Sequence, residues 1–303
     1  GAASALAHYT HSRRSAVLLG RFHAVPVDSR GRMDVAALER LLQTGSIGTV
    51  VVTPGTTAAG TVDPLDRIVT LRETYGFRIH VDAAYGGYFR LVNNLSEETA
   101  RAFAAMPAAD SVVIDPHKHG LQPYGCGCVL FRDPSVGRIY RHDSPYTYFT
   151  SDELHLGEIS LECSRPGAAA VALWATQQLL PLDPAGEFAA GLQQGREAAL
   201  ELHAWLTEDS RFVPLLRPEL DIVIWAVRSK TASESSRRAR EFFESAEKQD
   251  VHLALASFPR AMVEATGAVD DWDEDAVLCL RACMMKPEHQ EWMSRIVGRL
   301  GEA

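Results

Sequence analysis

Lysine is scarce in this chain of 303 residues: only Lys118, Lys230, Lys248 and Lys286 are present. Basic charge as a whole falls short, with 30 Lys and Arg against 39 Asp and Glu, a formal charge of −9. That deficit provides no basic field for a polyphosphate partner, so nucleic acid is not expected as a ligand. Long apolar runs are missing too. Nothing approaches the roughly 18 residues that cross a bilayer, so no membrane partner is expected. The first residues, Gly1-Ala2-Ala3-Ser4, lack the basic, apolar and small-residue succession of a signal peptide, and the expected location is the cytoplasm. Cysteine is limited to Cys126, Cys128, Cys163, Cys279 and Cys283. An odd number in a large chain points to reduced thiols and not to a disulfide framework. Cys126-Gly127-Cys128 lacks a second ligand pair at zinc-like spacing, so no metal is expected.

What is there is enough for a sizeable core. Apolar residues make up 46% of the chain, and the length suits one large domain plus a smaller one. Ile47–Thr53, Phe77–Val81, Ser111–Ile114 and Cys126–Phe131 read as buried strands bounded by Gly, Pro or Asp. Between them Leu65–Tyr75 and Glu97–Met106 carry apolar residues at helical spacing, with Ser96 as an N-cap for the second. This alternation predicts a mainly parallel sheet covered by helices, an α/β class. An Ala-rich stretch from Gly167 to Leu180 leads into Pro181-Leu182-Asp183-Pro184, a joint that marks a domain boundary. A further helix ends near Leu206. Then Phe212–Leu216, Ile222–Val227, Val251–Ala256 and Val277–Cys283 read as strands around a helix Ser233–Lys248, with a last helix near Glu288–Leu300. The expected division is a large domain over 1–182 and, over 183–303, a linking helix with a small α+β domain.

Open α/β sheets bind ligands beyond the carboxyl ends of their strands. Three such places hold reactive or small residues. Thr53-Pro54-Gly55-Thr56-Thr57-Ala58-Ala59-Gly60 follows the first run, Asp82-Ala83-Ala84-Tyr85-Gly86-Gly87 the second, and Asp115-Pro116-His117-Lys118-His119-Gly120 the third. Singly, each reads as a turn, a helix cap or a solvated loop. Together they suit pyridoxal chemistry. A buried carboxylate keeps a pyridine nitrogen protonated, which makes the ring an electron sink; Asp82 fits that role. A lysine in an enclosed site can hold the cofactor aldehyde as an imine; Lys118 fits that one. Lys230 and Lys248 fall in highly charged stretches, which leaves Lys286 as the rival. His117 can donate to a phosphate, and Ala84 is small enough for a ring to lie flat.

Ile79-His80-Val81-Asp82-Ala83-Ala84-Tyr85-Gly86-Gly87 followed by Asp115-Pro116-His117-Lys118 resembles the group II pyridoxal-dependent amino acid decarboxylases, which include the aromatic, tyrosine and glutamate decarboxylases. Thr53-Pro54-Gly55-Thr56-Thr57 and Leu280-Arg281-Ala282-Cys283-Met284-Met285 extend the similarity. His8-Tyr9-Thr10 is similar to the family segment whose histidine stacks on the cofactor ring, with His11 as the alternative to His8. The resemblance implies an aspartate-aminotransferase-like fold and pyridoxal 5'-phosphate as cofactor. It places Asp82 on the pyridine nitrogen, Ala84 under the ring, Lys118 as the imine, His117 near the phosphate, and Thr56 as a further cofactor contact. Ser144-Pro145-Tyr146-Thr147-Tyr148-Phe149 resembles the mobile loop that supplies a proton to the substrate carbon, with Tyr146 preferred to Tyr148. A homodimer with its active site at the interface is also implied.

Two departures stand out. The chain begins almost at the stacking histidine, whereas relatives carry a long N-terminal region that supplies part of the phosphate cradle and substrate pocket; that part is expected to be missing here. His119 stands where many relatives place an aromatic residue. The expected reaction is decarboxylation of an L-amino acid to the amine and carbon dioxide. Acidic, aromatic and diamino substrates are all compatible with the resemblance. The alternatives are another pyridoxal reaction, such as transamination or carbon–carbon lyase chemistry, or a catalytically incomplete regulatory subunit of the same fold.

Overall fold

Valine-rich runs too short for helices build the first sheet. The computed structural model describes residues 1–141, 156–159 and 167–303. Six strands, β1 (Ala2–Ser4), β2 (His23–Val25), β3 (Thr49–Val52), β4 (Arg78–Asp82), β5 (Ser111–Ile114) and β6 (Cys128–Phe131), lie in the order β2-β1-β3-β4-β5-β6. The first five are parallel, and β6 joins β5 antiparallel. Parallel strands need cover on both faces, and Val50, Val52, Ile79 and Val81 are wholly buried.

Helices α1 (Thr10–Val17), α2 (Val35–Leu42), α3 (Leu65–Tyr75) and α4 (Glu97–Ala104) accompany these strands. Their ends follow local chemistry. Asp34 caps α2 by accepting from Ala36 N and Ala37 N. Ser96 caps α4 through Thr99 N, a contribution of about 1 kcal/mol. Gly76 closes α3 in the left-handed region. Next come α5 (Leu156–Ile159), α6 (Ala168–Leu179) and, beyond the proline joint, the 22-residue α7 (Glu187–Glu208).

The remaining elements are β7 (Phe212–Pro214), β8 (Ile222–Val227), β9 (Ser229–Thr231), α8 (Ala232–Lys248), β10 (Ala254–Pro259), α9 (Arg260–Val263), β11 (Val269–Asp271), β12 (Ala276–Cys283), α10 (Glu288–Glu291) and α11 (Met293–Glu302). Four of these strands form an antiparallel sheet ordered β10-β12-β8-β7, while β9 and β11 pair separately. One core joins the first sheet to Leu220, Ile222, Phe258 and Val277 of this region. A second, around Trp225, Leu202, Leu206 and Leu280, lies among α7, α8, α11 and the antiparallel sheet. Strand β8 is buried throughout because its two faces serve the two cores.

The α/β class with a mainly parallel sheet is as the sequence predicts, and β5, β8 and α3 have the predicted bounds. Elsewhere the structure corrects the details. The strand expected at Val251–Ala256 starts three residues later, because Asp250 takes a positive φ of 55° after α8. The last helix is two, broken at Trp292. Strands β1 and β2 and helices α1 and α2 were not anticipated. Among the described residues no helix is long and apolar enough to cross a membrane.

Candidate active site

Three strand exits and the start of α1 converge on one cavity of about 390 Å³. Thr53, Gly55 and Thr57 come from beyond β3; Asp82, Ala84 and Tyr85 from the end of β4; Asp115 and Lys118 from beyond β5; and His8, Thr10, His11 and Arg14 from the N-terminal segment. Adjacent parallel strands present their carboxyl ends on one edge, so residues far apart in sequence share a wall.

The floor is backbone packed on backbone. Gly55 has a φ of 105°, and a Cβ there would stand 2.9 Å from Gly86 N and Cα; a Cβ on Gly86 would collide with the Pro54 carbonyl. Only glycine satisfies either position. Asp63 fixes the β3 exit from behind, accepting from Thr53 N at 2.9 Å and Met33 N at 2.8 Å. Complete burial pushes the Asp63 carboxyl up to about 7, against the pull of those two N–H groups. Arg281 of β12 reaches across to the same loop, donating to Thr57 O at 2.7 Å and Ala58 O at 2.9 Å. The Leu280–Met285 strand therefore contributes a brace for the cavity wall.

On the reactive side, His11 Nε2–H donates to Asp82 Oδ2 at 2.7 Å, and Ala84 N donates to Asp82 Oδ1 at 3.2 Å. Burial opposes the Asp82 charge, but the His11 hydrogen bond and charge, the Ala84 N–H and His80 outweigh it. The carboxyl is held below its ordinary value. Lys118 Nζ lies 3.0 Å from Asp115 Oδ2, with its side chain one-third exposed. His8 Nδ1 accepts from Thr10 N at 3.3 Å and the Thr10 hydroxyl at 2.6 Å, which assigns its proton to Nε2. Burial lowers the His8 pKa, Asp82 opposes, and Lys118 and His11 add to the lowering. The Thr53 hydroxyl is buried in this wall with no partner among the described residues, an acceptor and donor that the protein leaves for a ligand.

This donor set fits pyridoxal phosphate. A carboxylate, a primary amine and an unsatisfied hydroxyl face a space walled on one side by Ala84 and glycine, which suits a flat ring with a basic nitrogen and an aldehyde. The model of the pyridoxal-dependent decarboxylase conserved domain matches residues 2–227. The chain belongs to this pyridoxal-dependent decarboxylase family. Among the family's curated members, the L-tyrosine decarboxylase of Enterococcus faecium is 32% identical over 256 residues, covering 69% of this chain and 42% of that one. The L-2,4-diaminobutyrate decarboxylase of Acinetobacter baumannii is 30% identical over 234 residues, covering 73% of this chain and 44% of that one. The chain thus spans less than half the length of these two relatives. The fold is shared with the Oryza sativa TDC crystallised with PLP and tryptamine, at a TM-score of 0.81 and 17% identity, over 99% of this chain and 62% of that one.

Asp82, Ala84, Lys118 and His8 line the decarboxylase-family cavity together. Thr56 does not. It is wholly buried, with its hydroxyl 2.7 Å from that of Thr61, and its neighbour Thr57 faces the cavity in its place. His117 also stands off the wall. Its Nδ1–H donates to Cys126 O at 2.7 Å and its Nε2 lies 3.7 Å from Asp115 Oδ2. Lys286, the rival lysine, is exposed and outside the cavity. Tyr146 and Tyr148 lie outside the described residues. Sequence reasoning missed His11 as a partner of Asp82, along with Thr53, Thr57 and the bracing role of Arg281.

Behind the cavity lies a second carboxylate. Asp221, at the entry to β8 and 1% exposed, accepts from the Tyr85 hydroxyl at 2.7 Å and from His119 Nε2–H at 2.8 Å. Burial and the nearby Asp221 charge both push the Tyr85 hydroxyl pKa well up, so it stays a donor. His119, the residue that departs from many relatives, is thereby tied to the small sheet directly beside Lys118.

Proposed function

We propose that this chain carries the cofactor site of a pyridoxal-phosphate-dependent L-amino acid decarboxylase, a lyase that yields the amine and carbon dioxide. The observation that carries this reading is the placement of Asp82, Ala84 and Lys118 on one cavity. When bound, pyridoxal phosphate supplies a ring that accepts the electron pair left at the substrate α-carbon. Asp82, held anionic by its surroundings, keeps the proton on the ring nitrogen. Lys118 would hold the cofactor aldehyde through its Nζ. His8 and Ala84 would pack against the cofactor, and the Thr53 and Thr57 hydroxyls would offer it polar contacts. His117 remains the candidate for the phosphate in its doubly protonated form, with Nε2–H donating while Nδ1–H holds Cys126 O. Tyr146 returns a proton to the α-carbon in this scheme.

Residues 1–182 act here as the cofactor-binding part and 183–303 as the linking helix and small part. A homodimer in the cytoplasm completes the reading. In its support, β6 and α6 present Val129, Phe131, Val171, Trp174 and Leu179, each 46–82% exposed, a face that a second copy would cover.

Borohydride reduction of the cofactor-loaded protein followed by peptide mapping tests the lysine: the pyridoxyl label is expected on Lys118. A label on Lys286 overturns the assignment. Incubation with a panel of L-amino acids tests the reaction. Equal amounts of amine and carbon dioxide are expected, and a keto acid product instead would replace decarboxylation by transamination.

A further inference from the structure

Away from the cofactor cavity, arginines gather where the two sheets meet. A second cavity of about 300 Å³ is lined by Arg30, Arg32 and Ser96 from the first part of the chain and by Arg196, Arg217 and Glu219 from the second. Two of these guanidiniums are nearly sealed, Arg32 at 2% and Arg196 at 6% exposure. Burying a cation is costly unless an opposite charge accompanies it.

Arg32 has that company. Its Nε lies 2.6 Å from Glu219 Oε1 and its Nη1 2.7 Å from Glu98 Oε1. Glu98 also takes Arg30 Nη2 at 2.7 Å. These pairs occupy both carboxylates, and Glu219 Oε2 is further committed to Val62 N at 3.0 Å. Arg196 receives only backbone: Nε donates to Glu219 O at 2.8 Å and Nη1 to Asn94 O at 2.6 Å. Its Nη2 has no acceptor among the described residues, and neither Arg196 nor Arg217 has a carboxylate within ion-pair distance there. Burial and then the neighbouring Arg217 depress the Arg196 pKa, and the more distant Glu219 and Glu197 carboxylates do not offset them. Four guanidiniums meet the Glu98 and Glu219 carboxylates, with Glu197 acting on Arg196 from further off, which leaves the cavity net positive.

We propose that this cavity is a binding site for a phosphate-type dianion, held by Arg196 and Arg217 with Arg30 at its rim. An anionic occupant suits the net positive lining, and the planar forks of two arginines suit tetrahedral oxyanions through paired N–H donors. The volume lies at the small end of ligand pockets, so the occupant is inorganic phosphate or a small phosphate monoester. The site is separate from the cofactor cavity, with which it shares no lining residue. It does touch the same framework, because Glu219 holds Val62 in the loop returning from the β3 exit and stands two residues before Asp221.

Calorimetric titration of the cofactor-loaded protein tests this, with inorganic phosphate and glycerol phosphate as probes and sodium chloride holding ionic strength constant. Saturable binding at one equivalent per chain is expected with a dissociation constant below about 1 mM, matching the modest contact set. Arg217→Gln, an exposed and unpaired position chosen because it leaves the buried pairs intact, should weaken both probes at least tenfold. Arg196→Met should abolish binding, and because it also removes two buried hydrogen bonds that the fold uses, Arg217→Gln carries the decision. Lys230→Gln, far from the cavity, should leave binding unchanged. Tighter binding of the monoester would assign the site to a phosphorylated small molecule, and tighter binding of phosphate to the free ion. Equal affinities in wild type and Arg217→Gln, or a response that never saturates, would overturn the proposal.

Discussion

Two aspartate–histidine pairs in this molecule are nearly identical in bond length and opposite in use. His11 meets Asp82 at 2.7 Å and His119 meets Asp221 at 2.8 Å. The Asp82 and His11 side chains keep 12% and 16% of their surface exposed and line the cofactor cavity; those of Asp221 and His119 keep 1% and 2%. The second oxygen of Asp82 has only the longer Ala84 N–H, whereas that of Asp221 is capped by the Tyr85 hydroxyl. An open pair can exchange a partner for a ligand and so act as a reagent. A sealed pair cannot, and its chemistry goes into holding the small sheet against the Lys118 loop.

The comparison breaks most visibly in turnover. Asp82→Asn should lower it by about 10³-fold, since a neutral amide cannot hold the ring proton, while the thermal midpoint moves by no more than about 2 °C, as for a surface-type change. A parallel collapse in stability, read by calorimetry, would reduce Asp82 to a structural cap. Asp221→Ala should do the reverse. Removing one member of a buried pair costs about 3–5 kcal/mol, to be read from urea denaturation, and the surviving folded protein should keep most of its cofactor. Loss of cofactor from well-folded Asp221→Ala would move that residue into the site itself.

Smaller effects sharpen the contrast. His11→Gln keeps a hydrogen-bond donor but removes the positive charge that helps hold Asp82 ionised; turnover is expected to fall about tenfold, the equivalent of about one pKa unit, with a shifted pH profile. The same substitution at His119 should leave the profile in place and lower stability only. The smallest effect concerns His80, behind the open pair. Burial depresses its pKa in the folded state, so the unfolded chain binds the proton more readily. Its contribution is intact above the unfolded value of about 6.5 and is lost as pH falls through the folded value. His80→Gln should flatten the fall in urea midpoint between neutral and mildly acidic pH, and an unchanged slope would remove His80 from the account.

Sequence reasoning reached the open pair's carboxylate but not its imidazole. Asp82 follows the strongly patterned Ile79-His80-Val81, so its place at a strand end was legible. His11 meets it across 71 positions, a pairing that depends on β1 and α1. Strand β1 is three residues of Ala and Ser, with no β-branched signal to announce it. Helix α2 was a different kind of miss: Asp34 before Val35, Leu38 and Leu42 is a readable cap and apolar stripe. The resemblance points to Thr56, and the residues alone do not say which neighbour in a loop faces inward; the Thr56–Thr61 hydrogen bond decides that. Asp221 carried no signal, as an acidic residue ahead of a strand is ordinary until its burial is known.

The Gly55–Gly86 contact has a consequence for how the site could diversify. A floor made of main chain has no rotamers to lose, so its ordering entropy is met when the chain folds and not when a ligand arrives. It also gives mutation nothing to work on, since any side chain at Gly86 would meet the Pro54 carbonyl. Descendants of this sequence that come to favour a different amino acid must therefore change the opposite wall, and the floor should persist as the one part of the cavity that records ancestry and not diet.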